Sequence, residues 1–430
     1  MKKKLMLLFI ALLALAWFST ITEILQKPGK IAECIAKAEE LEKKEIYVDA
    51  ITEYEQALIY EPDNIEIQLK MAEDYLLSGK SKKFITVCKS AAEKYQKDDT
   101  ALVRLMNYYV ENSYEDKAVK YLAEFVEKYP KNETAQSWYL QLKGSSRELY
   151  CNYDEMGPMS DTSIVVKKEE KYGLVDSEGS EIVQPIYDYV QPYSKDGYAL
   201  VKENDTYFYI DRDGQRRMLP DSIYTDFHMY EAECTVAAKN GKYGYLDASM
   251  QPITDFMWDE LSLISDDAGA GKQNGKWALL SKNGKERTEY IYDDVIMDEY
   301  GFCFGQKRVF VKENGVYHIA DKKGKQIGEL DFENAKTFTE NGYAAVCVDG
   351  KWGYVDADGK QVIDYQYQDA ESFHNGYAAI CVDGKWGYID ENGNQIIKPQ
   401  YQNVTIMSEK GTTAVQQDGE WLLIQLDIFN

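Results

Sequence analysis

The chain has 430 residues, 44% of them hydrophobic, and a formal net charge of −24. The length exceeds one ordinary domain and the apolar share is enough for packed cores. The acidity argues against nucleic acid or an anionic lipid surface as a partner. It is concentrated late, since residues 1–29 carry +3, residues 30–148 carry −5 and residues 149–430 carry −22.

Residues 1–26 begin MKKK and continue into an apolar run, LMLLFIALLALAWFSTI. A basic start before such a run predicts a secretory signal or a membrane helix. Ala14-Leu15-Ala16 offers a cleavage pattern, but the run continues through Trp17 and Phe18, which favours an uncleaved anchor. The expected location is the outer face of a bacterial membrane, with secretion after cleavage as the alternative.

Residues 31–146 carry a helical period and repeat every 34 positions, with units starting near Ile31, Ile65 and Asp99. Ala50, Tyr54, Ala57 and Pro62 in the first unit, Ala72, Tyr75, Gly79 and Ala91 in the second, and Tyr109, Ala118 and Pro130 in the third put small residues where antiparallel helices must approach closely. This segment resembles a tetratricopeptide repeat domain. It departs from that pattern at Cys34, Gln68 and Leu102, where a tryptophan is usual, and at Phe84, where a small residue is usual. The resemblance implies that the concave face of the first helices holds a protein partner. Glu39, Lys43, Glu73, Leu76, Asn107 and Glu111 map to that face.

Residues 147–160 mix Gly, Pro and Cys151 and predict a linker that permits hinge motion. From residue 161 to 430 the chain repeats again. Strings related to KWGYVD start at 171, 206, 242, 276, 316, 351, 385 and 420, at intervals of 35, 36, 34, 40, 35, 34 and 35 residues. A second aromatic recurs 16 residues after most starts, as at Tyr367 and Tyr401, and a third run such as GYAAV follows. Each unit therefore predicts three strands. Asn-Gly or Asp-Gly precedes six of the seven later starts, from Asn240-Gly241 to Asp418-Gly419, which predicts two-residue type I′ hairpins joining one unit to the next. Gly at the third motif position (Gly173, Gly244, Gly353, Gly387) predicts that backbone or a ring approaches closely there. Phe208, Ala278, His318 and Leu422 replace it and mark distorted or terminal units.

These units resemble the WG β-repeat family, also called KWG repeats, most clearly through Trp352, Gly353, Trp386 and Gly387. The resemblance implies an all-β repeat fold, propeller-like or solenoid, and no particular reaction. The whole chain then reads as a membrane helix, an α-helical solenoid and an all-β array.

No histidine, serine or cysteine stands in a catalytic pattern, and regular repetition disfavours a unique reactive site. Asp211-Arg-Asp213-Gly214 and Asp356-Ala-Asp358-Gly359 resemble the start of a calcium loop but lack its further oxygen ligands, and turn chemistry accounts for them. Cys347 and Cys381 recur at one repeat position and read as apolar fillers. The expectation is a non-catalytic, membrane-anchored scaffold with protein partners and with neither metal nor cofactor. The alternative is a carbohydrate or cell-wall binding module that uses the repeated aromatics as stacking platforms; otherwise those aromatics are core.

Overall fold

The computed structural model describes residues 27–160 and 162–427, and the chain divides after Tyr139 into two compact units. In the first unit, α1 spans 27–42, α2 Tyr47–Tyr60, α3 Ile65–Leu77, α4 Ser81–Lys94, α5 Thr100–Glu111 and α6 Glu115–Lys128, and α7, Glu133–Lys143, follows. The starts of α2, α4 and α6 lie 34 residues apart, so the helices form three successive hairpins. Ala50, Ala57, Ala72 and Ala118 are wholly buried, and small side chains at these points let the helices close on one another. The Asn64 side chain caps α3 by accepting the Ile67 N–H at 3.1 Å.

The expectation of a membrane helix needs correction. No helix among the described residues is long and apolar enough to cross a membrane. Residues 1–26, on which that expectation fell, lie outside the described residues.

The second unit is a closed ring of eight antiparallel sheets, a β-propeller. Seven sheets have three or four strands and the eighth is a hairpin of two. A regular sheet holds a two-residue strand (Asp369–Ala370), the hairpin Tyr377–Val382 and Lys385–Asp390, and an outer strand (Gln395–Tyr401), hydrogen-bonded in that order. The expected three-stranded unit thus gains a fourth strand, too short to leave a period in the sequence. In chain order the middle hairpins begin at Ile164, Ala199, Cys234, Ala268, Arg308, Tyr343, Tyr377 and Thr412; they are called blades one to eight.

Type I′ turns make these hairpins: Asn240-Gly241, Asn274-Gly275, Asn314-Gly315, Asp349-Gly350, Asp383-Gly384 and Asp418-Gly419 all have positive φ at both residues. At Gly353 and Gly387 the outer strand arches, because Trp352 pairs with Tyr367 while Tyr354 pairs with Ile363, placing four steps against two. A Cβ on Gly387 would stand 2.4 Å from the Ile397 oxygen and 2.6 Å from the Pro399 nitrogen. Blade five, which carries His318 at this position, makes a wider arch, pairing Tyr317 with Phe332 and Ile319 with Ile327. Blades two and four, which carry Phe208 and Ala278 instead, have a two-residue outer strand and none, respectively.

Packing between neighbouring blades closes the ring. Trp277 and Tyr292 of blade four meet Val295 and Phe304 of blade five, and Trp352, Tyr354 and Tyr367 of blade six meet Phe373 and Ile380 of blade seven. Tyr401 of blade seven meets Met407 and Ile424 of blade eight, and blade eight returns to blade one through Leu423, Ala414, Ile164 and Val175. Ser146–Leu149 completes the closure as the outer strand of blade eight, pairing Ser146 with Leu426 and Leu149 with Leu423. Glu155–Met159 is the inner strand of blade one. The stretch 147–160, expected as a hinge, is therefore built into the ring: its strands supply hydrogen bonds that both end blades would otherwise lack.

Candidate functional site

The short strand that precedes each middle hairpin lies at the same edge of its sheet, and in a closed ring that edge faces the axis. The crossing from short strand to hairpin occupies six to eight residues in blades two, four, six, seven and eight. In blade five it occupies twelve, 296–307. This insertion is what lengthens one repeat interval to 40 residues. It turns inward, where Leu263 bridges Phe302 and the Tyr300 hydroxyl donates to the Met159 oxygen of blade one at 2.8 Å.

Between the insertion and the inner edges of blades two, three and four lies a pocket of about 350 Å³. Its polar walls are Gln191, Asp226, His228, Glu260, Asp298 and Glu299; its rings are Tyr189, Phe227, Tyr243 and Tyr300. The lining contains no lysine, arginine, serine, threonine or cysteine.

Asp298 organises the insertion. Its Oδ1 accepts the N–H groups of Tyr300, Gly301 and Phe302 at 3.0, 2.9 and 2.9 Å, holding the turn. Enclosure by protein pushes its carboxyl up to about 6, against those three donors and helped by the charge of Glu231. Glu299 is exposed at the pocket, yet enclosure by protein raises its proton affinity; a hydrogen bond with Tyr300 and the charge of Lys336 oppose this, and Asp298 and Glu371 add repulsion. Burial lowers the His228 pKa and so favours the neutral ring. Tyr243 donates to Asp226 Oδ2, which together with burial pushes the phenol up to about 12. Glu260 pairs with Lys272 at 2.6 Å. Gln191 Oε1 is sealed from solvent and has no hydrogen-bond partner.

The residues expected to define the repeats do so by packing. Trp352, Tyr367 and Tyr401 are buried and Trp386 is half-buried, all within the clusters between blades. With Trp277 and Trp258 also buried, the repeated aromatics present no open stacking row. Tyr354, Tyr388 and Tyr245 each donate a hydroxyl to a backbone oxygen 17 residues later, tying the hairpin to the inner edge. The turn aspartates act within their own turns, where Asp356 Oδ1 accepts the N–H groups of Asp358 and Lys360, and Asp211 Oδ1 those of Asp213 and Gln215. All seven cysteines are free, and Cys347 and Cys381 are buried fillers. Among the described residues no group of three or more His, Cys, Asp or Glu is placed to hold a metal ion.

In the helical unit, Glu39 is half-buried and bonded to Lys70 at 2.7 Å, and Glu73 pairs with Arg104, each linking adjacent hairpins. Lys43, Asn107 and Glu111 are exposed and Leu76 is half-buried. The axial pocket gathers none of these six residues. Sequence reasoning passed over the pocket itself; its signal was the single long interval together with the loss of the KWG pattern at 206, 276 and 316.

Comparison with known proteins finds a family match for four of the repeats. Residues 172–207, 319–352, 352–386 and 386–421 match the family model described as WG containing repeat. All pocket residues except Tyr189 and Gln191 fall in the interval between these matches, 208–318. Among curated proteins none matches the chain. Solved structures similar to it include Hsv2p of Kluyveromyces lactis (9% identity, 53% of this chain and 89% of that one, TM-score 0.37). A eukaryotic initiation factor (11%, 60% and 79%, TM-score 0.41) and the Pan2 WD40 domain of Neurospora crassa (11%, 55% and 88%, TM-score 0.31) are others. These scores are all below 0.5, and the propeller rests on the strand pairing of the chain itself.

Proposed function

We propose that the protein is a non-catalytic interaction scaffold that holds a protein partner at the axial pocket of its propeller, with the helical hairpins, read as tetratricopeptide-type repeats, offering a second protein-binding face. The observation that carries the reading is the division of labour inside the ring. Regular blades pack their aromatics on one another, while the one inserted crossing lines an axial pocket with the inner edges of blades two, three and four. Non-catalysis is supported by the pocket chemistry, since Asp298 Oδ1 is committed to three backbone donors and the lining has no serine, threonine, cysteine or lysine.

The test is affinity capture with the full chain against proteins from the source cell and, in parallel, sedimentation with insoluble cell-wall polymer. The scaffold reading predicts a defined protein partner and no sedimentation. Sedimentation reversed by soluble sugar, with no protein captured, would replace it by the glycan-binding alternative.

A further inference from the structure

We propose that Asn240 is a site of self-modification, where the Gly241 backbone nitrogen attacks the Asn240 side-chain amide and converts the residue to aspartate and isoaspartate. Asn-Gly occurs seven times in the chain, with asparagine at 240, 274, 283, 314, 341, 375 and 392. The fold sorts these pairs by what it does with the glycine nitrogen and the asparagine amide. The N–H groups of Gly284, Gly342 and Gly393 donate to the Ser281, Thr339 and Asp390 oxygens at 2.8, 3.0 and 2.9 Å. The Asn375 amide donates to the Met407 oxygen at 2.9 Å. Asn240, Asn274 and Asn314 stand instead at exposed hairpin tips, where among the described residues neither the side-chain amide nor the following glycine N–H has a partner.

The residue just before the short inner strand decides how firmly each tip is held. In blades six, seven and eight it is Glu333, Gln368 and Gln402, which accept the N–H groups of Gly350, Gly384 and Gly419 at 2.9, 2.8 and 2.8 Å. Blades four and five carry the shorter Asp259 and Asp293, which take the N–H of Asn274 and of Asn314 and leave the glycine nitrogen free. Blade three carries Thr225. Its backbone N–H donates to the Ala238 oxygen, two residues before the turn, as that of Gln368 donates to the Cys381 oxygen. Its side chain is too short to reach the tip and makes no bond to it, so the Asn240-Gly241 peptide is the least restrained of the seven.

Type I′ and type II′ turns both close a two-residue hairpin, share a positive φ at the first residue and differ by a flip of the middle peptide. The flip carries the glycine nitrogen toward the asparagine side chain while the flanking strands stay paired, and glycine accepts either sign of φ. A hydrogen bond to the glycine N–H opposes the flip. At Asn240 nothing does. The Gly241 nitrogen gives its proton to solvent base and bonds to Cγ; the bond from Cγ to Nδ2 breaks and the amide leaves as ammonia, taking up a proton. Water then opens the five-membered imide at either carbonyl, giving aspartate or isoaspartate at position 240, and nothing is oxidised or reduced. Isoaspartate adds a carbon to the backbone of a two-residue turn, in the blade that brings Phe227, His228 and Tyr243 to the axial pocket.

The experiment is incubation of the folded full chain at pH 6.5 and pH 8.5, with peptide mapping by mass spectrometry at intervals to follow all seven asparagines. Conversion should be fastest at Asn240, next at Asn274 and Asn314, and slowest at the four held pairs, and it should speed up at the higher pH. In denaturant the seven rates should converge, which assigns the order to the fold. Thr225→Gln copies the acceptor of blades seven and eight and should slow Asn240 about tenfold, the weight of one hydrogen bond, with Asn274 and Asn314 unchanged. Gly241→Ala is a second variant that resists the flip through its Cβ and should also slow Asn240. Equal rates at all seven sites in the folded chain, faster conversion at any held pair than at Asn240, or an Asn240 rate that neither variant changes overturns the proposal.

Discussion

Replacing Gly387 by alanine tests the arch of the outer strand, which gives the regular blades their shape. In an unconstrained strand interior the change would stabilise by about 0.5–1 kcal/mol, because glycine loses more backbone freedom on folding. Here the new methyl would lie 2.4 Å from the Ile397 oxygen, 2.6 Å from the Pro399 nitrogen and 2.8 Å from the Lys398 carbonyl carbon, all backbone atoms of a strand paired on its other side of the bulge. No side-chain tip can yield, so the strand must shift. Overpacking of this kind costs about 1–3 kcal/mol and should lower the melting temperature by several degrees. Gly244→Ala is the internal control. Its methyl would lie 3.0 Å from the Asp255 oxygen and 3.1 Å from the Phe256 ring, in a blade with no regular outer strand, and should cost under about 1 kcal/mol. Thermal melts of both variants, followed by near-ultraviolet circular dichroism, give the comparison. A Gly387→Ala protein as stable as the parent, or a Gly244→Ala protein destabilised equally, would refute the reasoning.

Three further outcomes follow from the structure. Trp352→Ala, which empties part of the cluster between blades six and seven, should cost about 3–5 kcal/mol by denaturant unfolding, with less lost at the half-buried Trp386. A chain begun after Leu149 loses the strand that completes blade eight; it should melt below one begun at Leu140 and expose Trp421 to fluorescence quenchers. Asp74, 1% exposed and with Oδ2 unpartnered, is pushed up to about 7 by burial and by the charges of Glu42 and Glu73. The folded chain then holds a proton that the unfolded chain releases near 4, so stability falls as pH rises from about 4 to 7 and levels off above. Asp74→Asn should leave stability at pH 4 nearly unchanged and raise it at pH 8 by at most about 4 kcal/mol, and a parallel shift at both pH values would contradict the assignment.

What could be read from the sequence was what is local. Asn-Gly and Asp-Gly turns fix a hairpin through their own dihedrals, and Lys351–Asp356 alternates on the scale of a single strand, so the hairpins and the crowded Gly353 were legible. The inner strands, such as Asp369–Ala370, are too short to show a period and form because the next hairpin offers them an edge. Ser146–Leu149 pairs with residues about 280 positions away, and nothing in Ser-Arg-Glu-Leu itself announces a strand. Its Gly and Pro neighbours read as a linker for the same reason. The pocket depends on ring closure twice over. The insertion at 296–307 is visible as five extra residues over the usual interval, but only the closed ring brings Asp298 and Gln191 to one pocket and Tyr300 to Met159. Glu39 and Glu73 were placed on the right helices, while their ion pairs with Lys70 and Arg104 needed the stacking of neighbouring hairpins.

Hydrogen–deuterium exchange of the full chain, with and without its captured partner, tests most directly whether the irregular segment is the working part of the ring. The account predicts new protection at 189–191, 226–228, 260–261 and 297–301, and unchanged exchange across the regular repeats at 343–401. Protection spread over those regular repeats, with the insertion unaffected, would contradict it.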